Sequence, residues 1–392
     1  MIEPGTLVDR LVALEPTVVD PATILAVHAP GRVNLIGEHT DYNEGLVMPV
    51  AIDRGITLVL VPTDDRRVTI TLADTGETAT FDLDAIGPRR GRWLDYVEGT
   101  AWSMTEAGLP TRGVRAILGS DLPQGAGLSS SAALELAAAL AMSPGGEPTV
   151  DRMRLARVAQ RAENAYLGVQ SGLMDQFASA HGVADGALLL DCRSLEYRTV
   201  PLALDDVALV VADSGSPRRL DRTGYNERHQ QCDAAVAAIA RAHPSVRRLR
   251  DVTPEMLAST VPGLEPVLAR RARHVVEENA RVIDAAEAFA AGDHARVGRL
   301  FSESHASLRD LYDVSSPELD ALVETAMDVD GVFGARLTGA GFGGCTVNLV
   351  RRDAIEALAE AISDRYARRS GLTPRVFEVT PSAGARRIDD WR

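Results

Sequence analysis

One stretch, residues 122–137, constrains what this chain can fold into more than any other. A proline and two glycines give way there to three serines and then to an apolar run from Ala132 to Met142, which predicts a loop that leads into a buried helix. The first N–H groups of a helix have no acceptor within it and carry the positive end of its dipole, while Gly125 and Gly127 allow a ligand close to the backbone. The stretch therefore predicts a phosphate site, although a glycine turn with a serine N-cap on a core helix explains it equally well.

Composition narrows the ways in which such a loop can hold an anion. The 392 residues, 45 % of them hydrophobic, are enough for two domains with substantial cores. With 41 basic and 55 acidic residues the net charge is −14, which argues against nucleic acid or an anionic membrane as the main partner. Lysine is absent, which excludes a Walker A loop and a pyridoxal Schiff base. A nucleotide would therefore be held by backbone amides, hydroxyls, magnesium and arginine.

The cysteines and the N-terminus predict no special compartment. Cys192, Cys232 and Cys345 are odd in number and far apart, so they indicate neither a disulfide framework nor a zinc site. The N-terminus has no basic region followed by an apolar core, and no segment reaches the ~18 apolar residues of a membrane span. We therefore expect a cytoplasmic protein.

Strand patterns are concentrated in the first half of the chain and helical patterns in the second. The predicted strands cover residues 24–29, 56–61, 67–72, 114–118, 187–191, 207–212 and 345–350. The predicted helices cover residues 5–14, 132–142, 150–167, 222–242, 265–291, 294–311, 317–328 and 353–368. We expect strands 56–61 and 67–72 to pair around a turn at 63–65, and Pro30-Gly31 to form a turn. The order of elements predicts an α+β fold with two domains, residues 1–195 and 196–392.

Four clusters of residues are candidates for chemistry, and the first follows the Pro-Gly pair. Its members are Arg32, Glu38, His39 and Asp41. Three polar side chains in one loop could hydrogen-bond a polyhydroxylated ligand. A solvated surface loop with a stray histidine is the alternative.

The other clusters supply carboxylates, a tyrosine and a second glycine-rich loop. The second cluster consists of Glu163 and Asp175. Helical carboxylates usually face water, but Asp175 lies between apolar neighbours that would bury it and make it require a partner. Tyr225 opens a polar helical run, where it could equally be a packing residue. Four glycines within 339–344 require positive φ angles or close backbone approach, and a hairpin corner would also explain them. Together the clusters form a complete set for phosphoryl transfer.

These residues carry a resemblance to a known family. Residues 31–42 resemble the galactokinase signature, 122–132 the ATP loop of the GHMP kinase superfamily, and 337–345 the third motif of that superfamily. Residues 172–177 and 191–196 are also similar to galactokinase segments, so the resemblance spans nearly the whole chain. The glycine loops specify the superfamily, whereas the run from Glu38 to Tyr42 specifies its sugar branch. The resemblance implies a two-domain GHMP kinase fold with mixed sheets, a largely helical second half and an active site between the domains.

The resemblance also implies an activity and roles for single residues. The activity is ATP-dependent phosphorylation of D-galactose at the C1 hydroxyl. The implied sugar contacts are Glu38, His39, Asp41, Asp175 and Tyr225, and the implied nucleotide loop is Gly125, Ala126, Gly127, Leu128, Ser129, Ser130 and Ser131. Ser131 and Glu163 would hold Mg²⁺, which suits oxygen ligands. Asp175 would accept the C1 proton, and Arg32 would keep that carboxylate charged and offset charge on the phosphoryl group.

Three alternatives stay open. A related kinase could act on N-acetylgalactosamine or arabinose, and a non-catalytic protein could bind galactose and ATP as a sensor. The residues that count against a sensor are Arg32, Ser131, Glu163 and Asp175. A structural or adaptor role would leave the polar sugar loop unexplained. Galactose and ATP are the expected partners, and the oligomeric state is left open with a slight preference for a monomer.

Overall fold

The computed structural model describes residues 3–14, 21–123, 125–147, 151–216 and 222–389, so Gln124 of the glycine- and serine-rich stretch lies outside the described residues. The strands are β1 Leu25–Asn34, β2 Leu46–Val47, β3 Pro49–Thr63, β4 Arg67–Leu72, β5 Thr78–Asp82, β6 Gly113–Ser120, β7 Gly186–Asp191, β8 Tyr197–Pro201, β9 Val207–Asp213, β10 Val332–Thr338, β11 Cys345–Arg351, β12 Arg375–Val379 and β13 Arg386–Ile388. The helices are α1 Pro4–Leu14, α2 Leu94–Glu106, α3 Ser130–Met142, α4 Arg152–Arg161, α5 Met174–His181, α6 Arg222–Ile239, α7 Pro254–Thr260, α8 Pro266–Ala290, α9 His294–Asp310, α10 Pro317–Met327, α11 Ile355–Ala361 and α12 Ala367–Ser370. This irregular mixture confirms the predicted α+β class.

The first sheet has the strand order β13-β1-β3-β6-β4-β5. It contradicts the predicted pairing of β3 with β4, because β6 lies between them, antiparallel to β3 and parallel to β4. The two apolar runs suggested a local hairpin. However, β6 is itself largely buried and occupies the centre of the sheet, so the turn after β3 carries the chain past it. Pairing between strands distant in sequence cannot be read from a local pattern.

The predicted turn at Pro30-Gly31 is also wrong, since both residues lie inside β1. The register of β1 against β3 shifts between Pro30 and Arg32, which marks a bulge. A Cβ atom added at Gly31 would lie 2.6 Å from the carbonyl oxygen of Leu128. The bulge therefore allows β1 to touch the glycine- and serine-rich loop, and the backbone N–H of Arg32 donates to that same carbonyl at 3.1 Å.

Two further sheets complete the fold. Their orders are β10-β11-β9-β12 and β2-β7-β8. The last strand, β13, returns to the first sheet and pairs with β1. The division of the chain at residue 195 stays a prediction.

The helix after the glycine- and serine-rich loop, α3, is a core helix as predicted. Every residue from Ala132 to Met142 is buried, and the helix packs against β1, β3 and α2. Helix α2 was not predicted, although Leu94, Val97 and Ala101 recur at helical spacing and are buried. In the part of the chain that the structure describes, no helix combines the length and apolar character needed to cross a membrane.

Candidate active site

A cavity of about 330 Å³ brings the predicted site residues together. Its walls come from the bulged strand β1, the β1–β2 loop, the start of α3, the turn after α4, the start of α5, the start of α6 and the β10–β11 loop. The predicted residues that line it are Arg32, Glu38, His39, Asp41, Ser131, Glu163, Asp175 and Tyr225. Residues that are up to 193 positions apart in the chain therefore line one cavity.

The glycine- and serine-rich loop adopts left-handed backbone conformations at both of its glycines. Gly125 and Gly127 have φ angles of 71° and 80°, and Ser129 also adopts a left-handed conformation at 58°. Ser129 stands at the N-cap of α3, but its hydroxyl makes no capping hydrogen bond. This hydroxyl is buried and has no hydrogen-bond partner among the described residues. The serine-cap explanation is therefore wrong for Ser129, and a buried hydroxyl without a protein partner suits a ligand.

Arg32 joins this loop to the carboxylate of Asp175. Its Nε and Nη2 atoms lie 2.8 and 2.6 Å from Oδ1 of Asp175, and its Nη1 donates to the carbonyl oxygen of Gly127 at 2.7 Å. The guanidinium is nearly inaccessible to solvent, with 3 % of its side chain exposed. Charge-assisted bonds from a buried, planar fork hold the carboxylate in one orientation relative to the loop.

Asp175 is less buried than its sequence neighbours suggested. Its side chain is 30 % exposed, although Met174 and Phe177 beside it are buried. The difference arises because Asp175 lies in the first turn of α5, where its side chain faces the cavity while its neighbours face the core. The predicted need for a partner is met by Arg32.

Asp41 and Tyr225 form one wall of the cavity, and both lie against Gly172. A Cβ atom added at Gly172 would lie 1.9 Å from Oδ2 of Asp41, so only glycine leaves room for that carboxylate. Burial raises the pKa of Asp41 to about 7, and the charge of Asp175 adds to the rise. Burial likewise raises the pKa of Tyr225, whose oxygen accepts a hydrogen bond from the backbone of Gly172. The wall thus offers a carboxylate and a protonated phenol to a ligand.

Glu38 reaches the cavity but is held by the protein itself. It is paired with the guanidinium of Arg336, and the backbone N–H of Gly339 donates to its Oε1 at 3.1 Å. Burial raises the pKa of Glu38, while the positive charge of Arg336 opposes the rise. Glu38 therefore fastens the 339–344 loop to the β1–β2 loop. That glycine-rich segment is the predicted hairpin corner between β10 and β11 and also lines the cavity through Gly339 and Ala340.

His39 is also engaged on both sides of its ring. Its Nδ1 lies 2.9 Å from the hydroxyl of Tyr42, and its Nε2 lies 3.1 Å from the carbonyl oxygen of Ala340. The residue has a φ angle of 62°, a strained conformation for a side chain of this kind. A ligand hydroxyl would reach a ring nitrogen of His39 only by replacing one of these two partners.

Comparison with known proteins identifies the family. The galactokinase galactose-binding signature matches residues 19–62, and the N-terminal and C-terminal GHMP kinase domains match residues 95–183 and 285–368. A galactokinase of Roseiflexus sp. (strain RS-1) is 47 % identical over 364 residues, which are 93 % of each chain. The chain belongs to the galactokinase family.

Solved structures agree with this assignment. The crystal structure of Lactococcus lactis galactokinase complexed with galactose matches with a TM-score of 0.92 and 35 % identity, covering 97 % of this chain and 100 % of that one. Methanococcus jannaschii mevalonate kinase, at 19 % identity and a TM-score of 0.68, shares the fold. The predicted GHMP kinase fold is confirmed, and the protein is a sugar kinase.

The residues expected to hold a metal in this galactokinase-family chain fit magnesium. Glu163 accepts hydrogen bonds from the hydroxyls of Ser131 and Ser171, and burial raises the pKa of its carboxyl. Two oxygen ligands therefore lie side by side on the cavity wall. The described residues contain no cluster of three or more acidic, histidine or cysteine side chains arranged to hold a metal. The fit to Mg²⁺ therefore rests on the oxygens of Ser131 and Glu163 alone, since this ion commonly takes one or two protein ligands and completes its shell with phosphate and water.

Several residues that line the cavity were not predicted. Tyr96 comes from α2, Ser171 from the loop before α5, Asn226 from α6, and Ala340 from the β10–β11 loop. Ala340 lies within a segment already identified as a motif and Ser171 directly precedes another, so their neighbours could have indicated them. Tyr96 was missed because the helix that carries it, α2, was not predicted.

Proposed function

We propose that the protein transfers the γ-phosphoryl group of ATP to the C1 hydroxyl of D-galactose, giving galactose 1-phosphate and ADP. The observation that carries this proposal is the buried guanidinium of Arg32, which contacts both the glycine- and serine-rich loop and Asp175. Arg32 therefore connects the loop that is expected to bind the phosphates with the carboxylate that is expected to contact the sugar. Membership of the galactokinase family supports the same substrate pair.

In the proposed reaction the C1 oxygen of galactose attacks the γ-phosphorus, and the bond from that phosphorus to the bridging oxygen of ADP breaks. Both contacts from Arg32 go to Oδ1 of Asp175, which leaves Oδ2 to accept the C1 proton. Phosphoryl transfer is commonly loose, so Asp175 contributes orientation as well as basicity. Arg32 offsets the charge that develops on the phosphoryl group.

We assign the remaining sugar contacts to four side chains that line the cavity. Asp41 and Tyr225 offer an acceptor and a donor to sugar hydroxyls. Glu38 and His39 border the same space, and each reaches a hydroxyl by exchanging one of its protein partners. Their main contribution is to fix the loops that surround the sugar.

The nucleotide is proposed to lie on the loop from Gly125 to Ser131. Gly125, Ala126, Gly127, Leu128, Ser129, Ser130 and Ser131 would present backbone N–H groups and hydroxyls to the phosphates. Ser131 and Glu163 would hold Mg²⁺, which neutralises phosphate charge when bound. Because the chain has no lysine, arginine and the metal supply this compensation.

The test is turnover by Asp175→Asn. Removing a positioned base costs about 10²–10⁴ in rate, so a coupled ADP-release assay with galactose should show a loss of at least that size while ATP still binds. Asp330→Asn is a matched control, since that side chain is 97 % exposed. Near-normal turnover by Asp175→Asn would contradict the role of Asp175.

The same assay separates the alternatives. Galactose binding without ADP release by the wild-type protein would favour a sensor, and faster turnover of N-acetylgalactosamine or arabinose would favour a related kinase. Glu163→Gln should raise the Mg²⁺ concentration required for half-maximal rate, and an unchanged requirement would remove Glu163 from the metal site. Light scattering tests the oligomeric state, which the sequence leaves open with a slight preference for a monomer.

A further inference from the structure

A buried line of hydrogen bonds leads away from the cavity through His39. The hydroxyl of Tyr42 lies 2.9 Å from Nδ1 of His39 and 2.7 Å from the hydroxyl of Tyr312. The hydroxyl of Tyr312 lies 3.1 Å from Sγ of Cys232, which accepts a hydrogen bond from Asn43 at 3.6 Å. Phosphoryl transfer as proposed above does not use Tyr42, Tyr312 or Cys232.

We propose that Tyr42, Tyr312 and Cys232 are positioning residues, which fix the tautomer and orientation of His39 and thereby the affinity for the sugar. The inference rests on the proposed function, because it assigns these residues to the sugar side of the cavity. The three residues are called the His39 chain below.

The direction of every bond in the His39 chain follows from one fixed acceptor. The carbonyl oxygen of Ala340 can only accept, so Nε2 of a neutral His39 carries the proton and Nδ1 is bare. Tyr42 must then donate to Nδ1, which leaves its oxygen free to accept from Tyr312. Tyr312 accepts in turn from the thiol of Cys232. The whole line is therefore consistent with a single tautomer of His39.

The members of the His39 chain retain their protons at neutral pH. Burial raises the pKa values of Tyr42 and Tyr312 well above their usual range. Burial also raises the pKa of Cys232 to about 11. Each group can therefore act as a donor throughout the range in which the enzyme would operate.

The His39 chain also connects separate walls of the cavity. Cys232 comes from α6, Tyr312 follows α9, and Tyr42 belongs to the β1–β2 loop, while Ala340 is in the β10–β11 loop. Tyr312 has no exposed surface, and its ring centroid lies 4.8 Å from that of His39. Hydrogen bonds in such a line polarise one another, so a break at one member weakens the next.

The experiment compares Tyr42→Phe and Tyr312→Phe with Tyr366→Phe. Each variant removes one hydroxyl and keeps the ring. Tyr366 is the matched control, since it is buried and donates to the carbonyl oxygen of Ser214 at 2.8 Å, outside the His39 chain. The Michaelis constants for galactose and for ATP are measured, and ¹⁵N spectra of histidine-labelled protein are recorded without sugar, with His39→Gln assigning the His39 signals.

We expect Tyr42→Phe to raise the KM for galactose about two- to tenfold, because it loses one neutral hydrogen bond. The KM for ATP should stay unchanged. The Nδ1 signal of His39 should move towards that of a nitrogen that accepts no hydrogen bond. Tyr312→Phe should move both quantities in the same direction by less, and Tyr366→Phe should move neither. Cys232→Ser, which keeps a donor, should stay close to the wild type, whereas Cys232→Ala should raise the KM for galactose.

The inference is overturned if the Nδ1 signal is unmoved in Tyr42→Phe, or if the KM values for galactose and ATP rise equally. Should Tyr312→Phe fail to fold, Tyr42→Phe decides, because the Tyr42 ring is only partly buried. A wild-type protein without turnover on galactose would refute the proposed function. The His39 spectra would still report whether the chain fixes the ring.

Discussion

The substitution Gly172→Ala tests the wall between Asp41 and Asp175 with a single methyl group. The new Cβ atom would lie 1.9 Å from Oδ2 and 2.8 Å from Cβ of Asp41, both far inside contact distance. Gly172 does not have a positive φ angle, so alanine causes no backbone strain there. The substitution therefore acts by forcing the Asp41 side chain out of its position.

The size of the effect follows from the hydrogen bond that Asp41 is proposed to make with the sugar. A hydrogen bond to a charged group contributes about 1.5–3 kcal/mol, so its loss should raise the KM for galactose about 10- to 150-fold. The three atoms nearest the added Cβ all belong to Asp41 and none to the loop that is proposed to bind ATP, so the KM for ATP should stay the same.

Steady-state kinetics and galactose titration calorimetry measure this effect, with two controls. Gly263→Ala places a methyl group in open space and should change nothing. In a double-mutant cycle Asp41→Gly removes every side-chain atom that the new methyl group would meet, so adding Gly172→Ala should cost little more. Wild-type galactose affinity in Gly172→Ala, or fully additive losses in the cycle, would refute the reasoning.

Three further predictions concern Ser129, Arg336 and Asp41. Ser129→Ala should raise the KM for ATP about two- to tenfold and leave the KM for galactose unchanged, because it removes a buried hydroxyl that has no protein partner among the described residues. A KM for ATP equal to that of the wild type would contradict a phosphate contact. Arg336→Met should lower the free energy of unfolding by about 3–5 kcal/mol in urea titrations, since it leaves the buried Glu38 carboxylate without its cation; a loss below 1 kcal/mol would show that the pair is dispensable. Burial raises the pKa of Asp41 from 3.8 to about 7, so the folded chain keeps a proton that the unfolded chain has lost, and stability falls as the pH rises between these values. Asp41→Asn should abolish this part of the loss, and its stability relative to the wild type should therefore increase from about pH 4 to 7; a difference independent of pH would argue against the raised pKa.

The candidate residues that line the cavity could be singled out in the sequence because their signals are local. A glycine-rich loop before an apolar run, or a cluster of polar residues after a strand, is visible within a dozen positions. The glycine loops indicated phosphate binding, and the run from Glu38 to Tyr42 indicated the sugar. The cytoplasmic location and the division at residue 195 stay predictions.

What the sequence could not reveal depends on residues distant in the chain. The position of β6 between β3 and β4 was missed because the residue pattern of a strand does not indicate which other strand it pairs with. The bulge at Gly31 looked like a turn, since Pro-Gly fits both. Arg336 had no visible role, because the carboxylate that it neutralises is 298 positions away. Tertiary contacts of this kind decide which polar groups face the ligand and which face each other.

The geometry of Arg32 explains how a chain without lysine could bind phosphate at this site. A guanidinium has five N–H donors in a rigid fork, and within the described residues three of them serve Asp175 and the carbonyl oxygen of Gly127. Two donors therefore stay available for the transferring phosphoryl group. An ammonium has only three donors on one nitrogen and could not hold the loop, hold the carboxylate and still face the phosphate. In the proposed reaction one arginine thus couples nucleotide position, base orientation and charge compensation, a combination that a lysine at this position could not provide.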